Sequence, residues 1–256
     1  MSLTRVVLRF AAPLPDLESK ERFLFLGPHP DDIEIGAGAT AAKLAAAGKT
    51  ICFLICTDGR FGGGQVPQLS PDELATLRKM EALQSASLLG VKDVRFLGLS
   101  DGGFYEWSEL LNGIAAVVAD FQPEVIFAPD PWVSSECHAD HLNVGKAARQ
   151  IACFAPYDGI MAQYGALAAP VSVLAYYMTA KANRFVSTRG YVSRQLAAIF
   201  GCHRSQFPKN CAEGKAIRLY LKLRAANFGV RSLKGQAEGF RVLGTTQMHC
   251  LPEAGE

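Results

Sequence analysis

The order of apolar and polar segments predicts an α/β fold, a Rossmann-like, mainly parallel sheet with helices on both faces. Three observations carry that expectation. Short, wholly apolar runs recur along the first half of the chain, as strands covered on both faces require. Segments with helical signals alternate with them, and such alternation packs as a parallel sheet between helices. The 256 residues are 49% apolar, enough for one self-sufficient core without disulfides or a structural metal. A single domain over residues 1–256 is expected.

The first strand is residues 23–27 (FLFLG), ended by Gly27-Pro28, and an alanine-rich helix follows over residues 36–48 with Gly48 as its stop. Residues 51–56 (ICFLIC) form the second strand. Ser70-Pro71-Asp72-Glu73 reads as a helix start, with a capping serine, proline in the first turn and acids beside the helix's positive end. That helix runs to Leu89. A third strand is expected at 94–97, a helix at 110–121, a fourth strand at 125–128 and a helix at 142–151. Beyond it the alternation loosens into a fifth strand at 171–178 and basic helices near 188–202 and 208–227. Three long segments, 60–70, 98–107 and 154–170, carry no periodicity. Loops of that length in a compact domain usually serve a site, and two of them leave strand ends.

The seven cysteines, at 52, 56, 137, 153, 202, 211 and 250, are odd in number and include no CxxC pair, which excludes a disulfide scaffold and a four-cysteine zinc ribbon. Buried free thiols in a reducing, cytoplasmic setting are the expectation. The N-terminal apolar stretch is too short and too charged for a signal peptide, and no run reaches the length of a membrane span. Residues 1–180 hold 13 Lys/Arg against 20 Asp/Glu, whereas residues 181–256 hold 13 against 4. The basic third either attracts an anionic ligand or is a solvated face. No basic patch with interleaved aromatics points to nucleic acid.

Chemistry concentrates in two clusters. Pro28-His29-Pro30-Asp31-Asp32-Ile33-Glu34 follows the first strand, and His138-Ala139-Asp140-His141 follows the fourth. Ligands of open α/β sheets bind outside the carboxyl ends of strands, so the sheet brings these loops to one edge. Three of the five histidines lie there. Two histidines and a carboxylate with a fourth position open is a catalytic zinc pattern. Spacing alone leaves open whether Asp31 or Asp32 is the ligand.

The first cluster, continued by Gly36-Ala37-Gly38-Ala39-Thr40, resembles the opening signature of the LmbE-like zinc de-N-acetylases, the superfamily of the N-acetylglucosaminyl-phosphatidylinositol, mycothiol-pathway and bacillithiol-pathway deacetylases. His138-Ala139-Asp140-His141 is similar to the family's HPDH with alanine in place of proline. Arg78-x-x-Glu81 with Leu89-Gly90 and His203-Arg204-Ser205-Gln206 resemble further motifs. The resemblance implies zinc on His29, Asp32 and His141 and Asp31 as general base. It also implies that His138, as imidazolium, stabilises the oxyanion or protonates the departing amine, with Asp140 tuning His138. It assigns Arg78 and Asp101 to sugar hydroxyls, while His203 either reaches the site or caps its helix. The implied substrate is a small N-acetylated amino sugar or its conjugate. Arg60, where relatives often carry an acid, suits an anionic substituent, and oligomerisation is compatible with the reading.

Three other readings compete. Gly36-Ala37-Gly38-Ala39-Thr40-Ala41 fits GxGxxA, with Asp58 further on as in a dinucleotide-binding oxidoreductase. The eight residues separating Gly27 from Gly36 argue against the tight turn that this fingerprint needs. Hydrolysis of another amide or an ester at the same zinc is a variation on the enzyme reading. A zinc sensor without turnover finds no support, because Asp31 and His138 are both present.

Overall fold

The computed structural model describes residues 7–8, 10–249 and 251. Its elements run β1 (Arg22–Gly27), α1 (Asp32–Ala46), β2 (Thr50–Thr57), α2 (Pro71–Leu89), β3 (Asp93–Leu99), α3 (Trp107–Phe121), β4 (Val125–Pro129) and α4 (Ala139–Phe154). There follow α5 (Asp158–Met161), β5 (Val173–Tyr177), β6 (Arg184–Ser187), α6 (Val192–Cys202), α7 (Ala212–Ser232), β7 (Ala237–Gly244) and α8 (Thr245–His249). Seven strands form one sheet in the order β3-β2-β1-β4-β5-β7-β6. The first five are mutually parallel, and β7 is antiparallel to both β5 and β6.

The two-residue period of β1 sorts its side chains between two cores. Leu24 and Leu26 pack with Leu110, Ile114, Val144 and Ile151 of α3 and α4. Phe23 and Phe25 face Ile33, Ala37, Ala41 and Leu89 of α1 and α2. The Phe25 and Phe127 rings of adjacent strands stack at 4.4 Å between centroids. A third cluster, Leu196, Ile199, Phe200, Leu221 and Ala225, joins α6 to α7.

The expected mainly parallel sheet with helices on both faces is present. The α2 start is as read: Ser70 and Glu73 form a reciprocal capping box with Pro71 in the first turn. Several boundaries move. The helix expected from residue 36 begins at Asp32, because the acidic motif is itself the first helical turn, where carboxylates meet the positive helix end. The helix expected from 142 begins at Ala139, with His138 as its N-cap accepting from the Asp140 N–H. The loop at 154–170 contains α5 and a short 3-10 turn, Ala162–Tyr164. Strands β6 and β7 were not foreseen. Each interleaves charged residues such as Arg184, Glu238 and Arg241 with apolar ones and finds its partner far along the chain. Cys52 and Cys56 are buried as expected, but Cys137 is exposed. Among the described residues no helix is long and apolar enough to cross a membrane.

Candidate active site

β1 is flanked by β2 on one side and β4 on the other, so the chain leaves these neighbouring strands toward opposite faces. A crevice opens where such connections diverge. The segment after β1 and the segment after β4 both empty into it, and the two histidine clusters meet there although 111 residues separate His29 from Asp140.

His29 Nδ1 lies 3.0 Å from Asp32 Oδ2, and His141 Nε2 lies 3.3 Å from the same oxygen. One ligand atom from each of His29, Asp32 and His141 falls within 4.8 Å of the others. His29 turns its second nitrogen to Asp140 Oδ2 at 3.0 Å, and His141 turns its Nδ1 to Glu136 Oε2 at 2.9 Å. Each histidine thus aims one nitrogen inward and has the other held by a carboxylate, the arrangement that fixes tautomer and raises ligand basicity in metal sites. Asp140 is fully buried and also accepts from the N–H groups of Gly102 and Gly103 at 2.7 and 2.8 Å. Both glycines have positive φ, +87° and +80°, the conformation that turns successive N–H groups onto one carboxylate.

Electrostatics agree with a cation-seeking site. Burial works against charge on His29, but hydrogen bonds to Asp140 and Asp32 hold its imidazole up at about 10. Burial opposes charge on His141 too, yet Asp32 and Glu136 raise it to about 9. Asp32, despite burial, is held well below the usual carboxylate range by His141 and His29. Asp140, also despite burial, falls to about 2 through His29 and the Gly102 N–H. Carboxylates that bind protons this firmly onto histidine favour a divalent cation in the same place, and two imidazoles with one carboxylate suit zinc.

Asp31 is only 6% exposed. Its φ of +141° is strained for a non-glycine residue, a feature that concentrates at functional sites. Burial and the Asp32 carboxylate push Asp31 up to about 6, against the pull of Arg78, His203 and His29. Among the titratable groups around it Asp31 is therefore the carboxyl poised to exchange a proton near neutrality. The His138 ring meets the His29 ring edge-on at 4.6 Å between centroids and stacks on the His141 ring at 5.0 Å. Burial and those two rings lower its pKa.

The other expected site residues surround this group at different depths. Arg78 is buried rather than on the surface; it donates to Gly59 O at 3.2 Å and to the Gln206 side chain. Asp101, also buried, accepts from the Phe61 N–H at 3.1 Å. His203 caps α6 and lies 3.3 Å from the buried Glu34, and its charge is among those that act on Asp31. Asp140 is nearer to His29 than to His138, whose Nδ1 is 3.7 Å away, so its first partner differs from the one expected. Arg60 is engaged by Asp58 and Asp72 at 2.6 and 3.1 Å, and its charge is thereby balanced within the protein. Gly36 and Gly38 lie inside α1. A Cβ on Gly36 would meet the Tyr177 ring at 2.1 Å, so this glycine lets the helix approach the sheet and forms no dinucleotide turn.

Two features escaped the sequence reading. Glu136 had one available signal, an acid placed just ahead of the two-histidine motif. The second is a cavity of about 420 Å³ beside Asp32 and His141, walled in part by Glu136, Tyr177, Tyr220 and Arg224. Tyr220 and Arg224 belong to α7, so the basic third of the chain reaches the crevice.

Known proteins share this arrangement at the level of sequence and fold. The diacetylchitobiose deacetylase of Thermococcus kodakarensis is 30% identical over 255 residues, covering 98% of this chain and 93% of the relative. A 1D-myo-inositol 2-acetamido-2-deoxy-α-D-glucopyranoside deacetylase of Kineococcus radiotolerans is 32% identical over 186 residues, 61% of this chain and 51% of the relative. The solved N,N′-diacetylchitobiose deacetylase of Pyrococcus horikoshii superposes with a TM-score of 0.82 at 32% identity, covering 98% of this chain and 93% of that one. The GlcNAc-PI de-N-acetylase (PIG-L) profile matches residues 24–152, the stretch that builds β1 to β4, their helices and both histidine clusters. With both its sequence and its sheet accounted for in this way, the chain belongs to the PIG-L family.

Proposed function

We propose that the protein is a zinc-dependent N-deacetylase of a small N-acetylglucosamine-type sugar conjugate. The observation that carries this reading is the convergence of His29, Asp32 and His141 beside the buried Asp31 at the sheet's switch point. His29 Nδ1, Asp32 Oδ2 and His141 Nε2 would hold the metal. When bound, zinc supplies Lewis acidity toward the acetyl carbonyl and acidifies water in its vicinity.

The chain's own residues then divide the proton work. Asp31 takes the proton from the attacking water as the new C–O bond forms, and its raised pKa lets it pass that proton on to the departing amine. His138 Nδ1 accepts the Asp140 N–H at 3.3 Å, which leaves the proton on Nε2. Through that Nε2–H the ring stabilises the developing oxyanion. Arg78 and Asp101 bind the sugar hydroxyls from the β2–β3 side. Asp140 holds His29 in register.

Paired substitutions test the division of roles. Asp31→Ala is expected to keep bound zinc and lose about 10²- to 10⁴-fold in turnover. His141→Ala is expected to lose both. Full activity in Asp31→Ala removes the proposed base, and undiminished zinc in His141→Ala removes the proposed ligand.

A further inference from the structure

The outer face of α7 is apolar at the spacing of a seam between helices. Ala216, Leu219, Leu223, Ala226, Val230 and Leu233 recur every three and four residues, the a and d positions of a heptad repeat. All six are exposed, the four large ones by 59%, 60%, 74% and 95%. The packing of α7 against the body uses its opposite side, where Leu221, Ala225 and Phe228 are buried. A helix that has already buried one apolar face has no folding use for a second. A continuous stripe about 25 Å long therefore marks a contact with a partner. Leu233 sharpens this, since it stands at φ +58° at the end of α7, where glycine is the ordinary residue and leucine costs strain.

Charge and volume select the partner. Three arginines of α7 turn back onto the fold: Arg218 lies over Phe200 at 4.3 Å, Arg224 over Phe228 at 4.9 Å and Arg231 over Phe185 at 5.1 Å. A membrane-binding helix would aim such cations outward beside its apolar stripe. Lys215 and Lys222 flank the stripe on one side, Tyr220 and Asn227 on the other.

We propose that this face is a dimer interface whose occupant is a second copy of the chain, its own α7 packed antiparallel about a two-fold axis. In an antiparallel seam a faces d. Full overlap then sets Ala216 against the partner's Leu233, Leu219 against the partner's Val230 and Leu223 against the partner's Ala226. Small residues meet large ones in every layer, as close packing requires, whereas a parallel pair would oppose each alanine to itself. In this register Lys222 falls beside the partner's Gly229, and Tyr220 falls beside the partner's Asn227. Sliding one helix by a heptad, to put Leu223 on the partner's Leu219, would bring Lys222 onto the partner's Lys222 and leave Leu233 uncovered. Like charges therefore exclude the slipped register and leave the full one free of conflict.

Sedimentation velocity of the full chain is expected to show an assembly of an even number of 27.6 kDa copies, and Leu219→Glu or Val230→Glu should halve its mass. Mild oxidation tests the register. The Leu219→Cys/Val230→Cys double variant is expected to form covalent dimers beyond those of equally treated wild type, and neither single variant should. Two copies of one of these positions lie about 16 Å apart along the axis, out of reach of a disulfide. This second measurement needs no charge in the seam, so it stands even where a glutamate variant fails to fold. A monomeric wild type, or an unchanged mass in both glutamate variants, overturns the interface. Cross-linking in the single variants as efficient as in the double one overturns the antiparallel pairing. A monomer that co-sediments with phosphatidylserine vesicles assigns the stripe to a membrane and overturns the dimer.

Discussion

Each histidine of the proposed metal triangle has a carboxylate on its outer nitrogen, Asp140 for His29 and Glu136 for His141. The Glu136 contact makes a sharp prediction. In Glu136→Gln a neutral amide faces His141 Nδ1, and zinc affinity should fall about 10- to 100-fold, read by competition with a chromogenic chelator. Unchanged affinity would show that Glu136 does not support the ligand. The same pair of residues marks the limit of reading single positions. The ligand residue types and Asp31 stood out because a histidine and three acids crowd six positions after an apolar strand. The partner of Asp140 did not, because His138 is its neighbour in the chain whereas His29 reaches it only through the sheet.

Between elements, paired motifs lock onto one another. Arg78 and Glu81 of α2 grip the segment after α6: Arg78 donates to Gln206, and Glu81 accepts from the Ser205 N–H and hydroxyl at 2.8 and 2.6 Å. Glu34 of α1 joins Ser85 of α2 at 2.5 Å and His203 at the end of α6. On the other flank Glu238 of β7 accepts from the N–H groups of Ala39 and Thr40, at 3.2 and 2.8 Å, and from Gln195 at 2.9 Å. Desolvation pushes the Glu238 carboxyl up to about 7 from its ordinary 4.5. The folded state therefore holds a proton that the unfolded chain releases. The resulting stability is complete below about 4.5 and is lost as pH rises through about 7. Relative to Glu238→Gln, the wild type should lose stability between pH 5 and 8 in urea melts; parallel profiles would contradict this. Strands β1, β2 and β4 were legible because they are apolar on both faces, and α2 because of its capping box. β6 and β7 were not, since strands of mixed polarity acquire their character only from partners elsewhere in the chain.

At the scale of the molecule, the fold's contribution is to place two loops at one switch point and a third, basic region beside it. The uneven charge of the chain was visible in composition, but its meaning was not. Arg60 is balanced by Asp58 and Asp72, while Arg224 of α7 lines the cavity next to Asp32 and His141 and donates to Thr179 O at 3.0 Å. The proposed metal ligands, the proposed base and the proposed sugar contacts thus come from separate stretches that only the sheet order unites. That union is the central claim, and metal content measured together with catalysis tests it most directly. Purified protein supplied with zinc should hold about one ion per chain and release free amine from N-acetylglucosamine conjugates, with release abolished by chelation and restored by zinc. Amine release that persists with no metal bound, or a chain that takes up no zinc at all, would contradict the account.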